Sequence, residues 1–286
     1  MIDPPTEITT VMNPPWNVCE TTELLLYYCI VKGEQGIPYM GIDLTEMLRS
    51  WPYDPEQNLR IVSVEDGRQV LQVRLPLGIE QYELDGRPDG KRPYDKESFV
   101  EELQDRVAAH VAHYGSDAEF DLGHQECVEL HSEGMLFYYR YLLLFQLNDF
   151  ERVTRDTDHN LHLCRLLEKY CSNEEDRNAV LQFKPYIVRM NAMARAMISI
   201  QNEVRDVARK VLANAIEEIE SLEEIESPAF QFERIRSVNY LQSALQQIDE
   251  EAVGPTQELE KELQRAVDEE NYERAAEIRD RLRGIQ

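Results

Sequence analysis

Basic residues are scarce in this chain: 30 Lys and Arg stand against 55 Asp and Glu, a formal net charge of −25 over 286 residues. A field of that sign repels phosphate backbones and anionic lipid surfaces, so direct binding of nucleic acid or of a membrane is not expected. No stretch approaches the roughly 20 apolar residues of a membrane-spanning helix, and the opening MIDPPTEITTVMNPPWN has neither a basic region nor an apolar run. The expected location is the cytoplasm. The five cysteines (Cys19, Cys29, Cys127, Cys164, Cys171) are odd in number and form no Cys-x-x-Cys pair, which argues against a disulfide framework and a zinc ribbon. Also missing are a Gly-x-Ser-x-Gly elbow, a dinucleotide fingerprint and any kinase or nuclease signature, so no cofactor is implied. Adjacent carboxylates such as Glu217-Glu218 and Glu223-Glu224 are too common in so acidic a chain to mark general acid–base chemistry and read as solvated helix faces.

What is present is enough apolar residue, 42%, for one large or two ordinary domains. The overall expectation is a mainly α protein with a small α+β portion over residues 1–95. A proline-rich lead (Pro4-Pro5, Pro14-Pro15) cannot be helical. The apolar run Thr22 to Val31 fits a buried helix or a strand, with its length and acidic start favouring helix. Asp43 to Leu48 predicts a short helix, capped by Asp43 and stopped before Pro52. From Leu59 to Leu75 the pattern turns to β, with Arg60–Val64 and Gln69–Val73 flanking Glu65-Asp66-Gly67-Arg68. Asp-Gly favours a two-residue hairpin turn, which sets Glu65 opposite Arg68. The loop from Gly86 to Pro93, with Arg87, Lys91 and Arg92, is the basic spot of the chain. It lacks the Lys-Ser or Lys-Thr of a phosphate-binding loop and reads as a solvated turn or a contact for an acidic group.

Residues 96–250 predict a helical body of stacked hairpins. Ser98 and Glu101 spell a capping box, and Val100, Leu103, Val107, Val111 and Tyr114 share one face before Gly115 ends the helix. Ser172 with Glu175 spells a second box, Pro185 restarts the chain, and Ser227-Pro228 opens a long helix to about Asp249. The run from Gly134 to Tyr170 is similar to a tetratricopeptide-like helix pair, and Met190 to Met197 fits the start of another, although the usual spacing is not kept. Within the body, His110-x-x-His113, His124-x-x-Cys127 and His131 form the best metal candidate, because two histidines three apart share a helix face. His110 also sits beside the apolar stripe, where a core histidine fits as well. His159-x-x-His162-x-Cys164 is a weaker candidate, since spacings of three and five do not converge on one side of a helix.

The C-terminal stretch, Thr256 to Gln286, reads as two short helices folded back on each other. Thr256 offers an N-cap after Gly254-Pro255, and Leu259, Leu263 and Val267 recur every four residues. After Asn271, Ala275, Ile278, Leu282 and Ile285 recur at three and four. These stripes predict a closed hairpin that leaves Tyr272, Ala276 and Arg279 facing outward. The residues Leu259, Glu260, Leu263 and Ala266, followed by Asn271 to Asp280 (NYERAAEIRD), resemble the UVR motif. That motif occurs in the B and C subunits of the bacterial excision nuclease, in Clp unfoldases and in an activator of protein-arginine kinase. The resemblance implies a protein-docking element, with Tyr272, Ala275, Ala276, Arg279 and Leu263 as the partner-binding set. The expected function is therefore a non-enzymatic adaptor, with no cofactor, that docks another protein through residues 256–286. The alternatives are a metal-dependent enzyme carrying the hairpin as a tether, with His110, His113, His124 and Cys127 as its ligand candidates, or a homodimerisation module. The junction Glu250 to Pro255 neither continues a helix nor builds a core on this reading. Limited proteolysis is expected to cut there first and leave a stable body; a hairpin that resists release as firmly as the core would refute the hinge.

Overall fold

The computed structural model describes residues 43–252, 255–269 and 271–283. The chain divides into two compact units, Met1–Pro52 and Tyr53–Gln286. The proline-rich lead, the run Thr22 to Val31, Cys19 and Cys29 lie outside the described residues.

In the first unit, helix α1 (Thr45–Ser50) starts where Asp43 accepts hydrogen bonds from the Thr45 backbone N–H at 2.9 Å and hydroxyl at 2.6 Å. It stops before Pro52, whose ring disfavours helix in the residue ahead of it.

The second unit begins with an antiparallel sheet in the order β1 (Leu59–Ser63), β2 (Gln69–Leu75), β3 (Gly78–Glu83). The β1–β2 connection differs from the two-residue turn the sequence predicts. Ser63 pairs with Gln69, and the Val64 N–H donates to the Arg68 carbonyl at 2.8 Å, which leaves Glu65-Asp66-Gly67 as a three-residue loop. Gly67, at φ +87°, takes the left-handed position that such a loop requires. Arg68 consequently bonds Asp66 and Glu83 rather than Glu65. Leu75 pairs with Gly78 across a tight turn, which adds a third strand to the hairpin that the sequence predicts. Central strand β2 buries Val70 and Leu71 on opposite faces.

A 3₁₀ turn (Pro93–Asp95) leads to α2 (Phe99–Tyr114), α3 (His124–Gln146), α4 (Phe150–Tyr170), α5 (Glu174–Leu181), α6 (Lys184–Gln201), α7 (Arg205–Ser221) and α8 (Pro228–Ala252). Consecutive long helices pack on one another, α3 on α4 and α6 on α7, with α4 also against α6 and α8 against both α6 and α7. The α3–α4 turn places Asn148 at φ 58°, and Asp149 caps the Arg152 N–H at 3.2 Å. Gly134 lets these two helices approach closely, since a Cβ there would lie 3.3 Å from Leu163. The pair runs from His124 to Tyr170, longer than the ~34 residues of a tetratricopeptide repeat, and Met190 to Met197 lies in the middle of α6 rather than at a start. The second half of the body is closed by Val188, Ala192, Ala196, Ala208, Leu212, Ala215, Ile219, Leu241 and Ile248.

Several sequence expectations shift by a residue or change partner. Ser98 does accept from the Glu101 N–H, but Glu101 bonds the Glu97 N–H and not that of Ser98, so the capping box is only half formed. The α2 stripe is buried at Val100 and Leu103 and lifts into solvent at Val111 and Tyr114. Asn173, not Ser172, caps α5, and the Ser227 hydroxyl donates to Gln182 at 2.7 Å instead of capping α8. Helix α8 continues through Glu250 to Ala252, past the expected end near Asp249. The end of the sheet is bonded into α3 and α4, where the Glu83 carbonyl accepts from Arg140 and the Leu84 carbonyl from Arg155.

Candidate functional site

The C-terminal hairpin consists of α9 (Pro255–Asp268) and α10 (Tyr272–Arg283). Helix α9 begins at Pro255, whose fixed φ and missing N–H suit a first helical position, so Thr256 lies inside the first turn instead of capping it. The turn is closed from both sides: the Asn271 N–H donates to the Ala266 carbonyl at 2.8 Å, and Asn271 Oδ1 accepts from the Arg274 N–H at 3.3 Å. Asn271 is thus the N-cap of α10.

The hairpin has a core of its own, made of Ala266, Ala275 and Ile278 with Leu263 packed against it. Two alanines facing each other allow the helix axes to come close. Val267, expected on the inner stripe, is 44% exposed, and Ala266 occupies the inner position one residue earlier. Leu263 and Ala275, counted among the partner-binding set, sit inside the hairpin and hold its form. Tyr272 is 69% exposed, Ala276 half-buried and Arg279 exposed, its guanidinium 3.7 Å from the Asp280 carboxylate. An exposed aromatic, a small residue and a cation, four and three residues apart, line one side of α10. The side chains of Leu259, Leu282 and Ile285 lie outside the described residues.

The metal candidates do not come together. His110 packs edge-on to Phe120 and against Tyr114, and His113 also packs on Tyr114. His124 Nδ1 is 2.7 Å from Asp176 Oδ1, Cys127 is buried against Cys171, and His131 is half-buried with burial holding its pKa down. In the weaker group, His159 faces Glu133, His162 contacts Gln104, and Cys164 is fully buried. Among the described residues no three His, Cys, Asp or Glu side chains are grouped to hold a metal ion.

Sequence reasoning missed a buried ionic network where the sheet meets α3 and α4. Arg140 and Asp156, both fully buried, form a two-pronged ion pair, with Nε to Oδ2 and Nη2 to Oδ1 each 2.7 Å. Arg140 Nη1 also donates to the carbonyls of Glu83 at 2.7 Å and Gly86 at 2.8 Å. Arg155 adds bonds to Asp156 and to the Leu84 carbonyl. Two turns earlier on α3, fully buried Glu133 accepts from the Phe99 N–H at 2.8 Å and the Val100 N–H at 3.1 Å, supplying the anion that the positive end of α2 favours. Arg87 reaches the same carboxylate at 3.1 Å, so the basic loop is a buried anchor at this residue and not a solvated turn. His159 Nε2 lies 3.2 Å from Glu133 Oε1, off the hydrogen-bonding direction, with its ring stacked on Phe137 at 3.7 Å. The signal for this network was a charge inside an aromatic run, Tyr138-Tyr139-Arg140-Tyr141, since charged residues are rarely buried unless paired.

Burial alone pushes the Glu133 carboxyl up, but His159 and the N–H groups of Phe99 and Val100 outweigh it and hold the pKa below the ordinary value. A carboxylate depressed in the folded state contributes stability above its unfolded pKa and loses it as the pH falls through the folded pKa. The protein is therefore expected to lose stability below about pH 4.5, and Glu133→Gln to be less stable at pH 7 with a flatter acid limb. Thermal melts from pH 3 to 8 would check this; parallel curves for the two proteins would refute it.

A second buried pair links α6 to α8, Arg189 and Glu233 at 3.9 Å, with the guanidinium over the rings of Tyr186 at 4.7 Å and Tyr240 at 5.3 Å. Burial raises the Glu233 carboxyl and lowers Arg189, so each charge is incompletely compensated.

The geometry at the C-terminus defines a class: a small antiparallel helical hairpin, closed on its own alanine core and leaving Tyr272 and Arg279 exposed. Residues 256–286 match the family model of the UvrB/uvrC motif, UVR. No curated protein and no solved structure matches the chain. No described helix is long and apolar enough to cross a membrane.

Proposed function

We propose that this chain is a non-enzymatic adaptor whose UVR hairpin docks another protein, in a bacterial stress-response or DNA-repair setting. The observation that carries the reading is that the hairpin satisfies its own core with Leu263, Ala266, Ala275 and Ile278 and still presents Tyr272 to solvent. Such a face resembles an interface anchor before docking: an aromatic for contact area, an alanine for close approach and an arginine for a carboxylate. The metal-dependent enzyme is not favoured, since its candidate ligands are each engaged elsewhere. The homodimer remains the competing occupant of the same face, because two identical hairpins can pair about a two-fold axis. Affinity capture with the full-length chain and with a chain ending at Gly254 tests the proposal. A partner retained only by the full-length chain supports the adaptor. Equal capture by both, or loss of self-association alone on truncation, contradicts it.

A further inference from the structure

We propose that Cys127 and Cys171 are a redox pair that forms a reversible disulfide when the protein meets a peroxide. Cys127 lies in the first turn of α3 and Cys171 at the C-terminal cap of α4, 44 residues apart in sequence. The α3–α4 packing brings their sulfurs to 3.3 Å, inside van der Waals contact, so closure to a disulfide needs a shift of about 1.2 Å. Cys164, by contrast, is a buried thiol within α4.

Both sulfurs are covered, Cys127 and Cys171 each being 3% exposed, but they differ in what covers them. Cys171 ends α4, its neighbours Ser172 and Asn173 are exposed, and its thiol donates to the Asn173 carbonyl at 3.3 Å. Local opening of that helix end exposes the sulfur without breaking the core. Cys171, at the helix end beside exposed Ser172 and Asn173, is therefore the first to react, while Cys127 lies inside the first turns of α3, where burial pushes its thiol up to about 12.

The chemistry balances with hydrogen peroxide as oxidant. Cys171 sulfur attacks one peroxide oxygen; the S–O bond forms, the O–O bond breaks, and the departing hydroxide leaves as water with the thiol proton. Cys127 sulfur then attacks the sulfenic sulfur; the S–S bond forms, the S–O bond breaks, and a second water leaves with the second proton. Two thiols lose two electrons and two protons, and one peroxide becomes two waters. A dithiol reductant reverses the step by exchange. The product links the start of α3 to the end of α4, beside the His124–Asp176 contact that joins α3 to α5.

Peptide mass spectrometry of the full-length protein tests this. Trypsin cleavage after Arg106, Arg140, Arg155, Arg165, Lys169 and Arg177 places Cys127, Cys164 and Cys171 in three different peptides. After hydrogen peroxide treatment and alkylation, the expected product joins the Cys127 and Cys171 peptides, lighter by two hydrogens, while Cys164 remains alkylated only after unfolding. Dithiothreitol restores both free thiols. In Cys127→Ser the Cys171 peptide is expected to advance to sulfinic acid, because no resolving thiol is left. The proposal is overturned if both thiols stay reduced at peroxide levels that fully oxidise free N-acetylcysteine, if Cys171 or Cys127 pairs elsewhere, or if purified protein holds a stoichiometric zinc ion that shields them. A folding defect in the serine variant leaves the wild-type result decisive.

Discussion

Replacing Arg140 with methionine is expected to destabilise the Tyr53–Gln286 unit by about 3 kcal/mol, because it takes both prongs of the ion pair from the fully buried Asp156 carboxylate and leaves it to the part-exposed Arg155 alone. Methionine keeps most of the side-chain volume, so the loss is electrostatic and not a cavity effect. The same change frees the carbonyls of Glu83 and Gly86, which Arg140 alone among the described contacts ties to α3. The double variant Arg140→Met with Asp156→Leu removes the under-compensated charge and is expected to recover part of the loss, but not the part due to those carbonyls. Urea melts of the three proteins at pH 7 check this. A single variant within about 1 kcal/mol of the parent would show that the ion pair adds nothing that burial of the aromatic run does not.

Ala276→Glu is expected to leave the fold intact and to weaken docking by about 2–4 kcal/mol, through an unpaired charge in the contact between Tyr272 and Arg279. Ala276 is half-buried and outside the hairpin's alanine core, so the melting curve should move little. Ala275→Glu provides the contrast. It forces a charge against Ala266 and Ile278 and is expected to open the hairpin, which circular dichroism reports as lost helix. If the two variants behave alike, the division between inner and outer faces of α10 is wrong.

Several helices were legible because their ends carry their own punctuation. Ser98, Gly115, Pro185 and Pro228 mark helix ends in the structure as they do in the sequence, and the repeat of Ala275 and Ile278 after Asn271 names the inner face of α10 directly. What failed were features set by partners distant in sequence. The Phe99 and Val100 N–H groups at the start of α2 are taken by Glu133, which arrives from α3 and which no local pattern announces. Arg87 reads as solvated until the same carboxylate is placed beside it, and β3 needs β2 as its template. The inner face of α9 was misassigned by one residue, Val267 for Ala266, because a repeat of four drifts against the 3.6-residue turn of a helix. Cys127 looked like a metal candidate beside His124, and its real neighbour, Cys171, lies a whole helical hairpin away.

The most direct test of the adaptor reading is site-specific photo-crosslinking from the docking face in living cells. A benzophenone amino acid at position 272 probes the hairpin, and the same residue at Leu77, 92% exposed on the sheet, serves as control. The reading predicts a discrete adduct with a different protein from position 272, absent from position 77 and lost when Ala276→Glu is added. Adducts from position 272 that join only the chain to itself or to a second copy would contradict it.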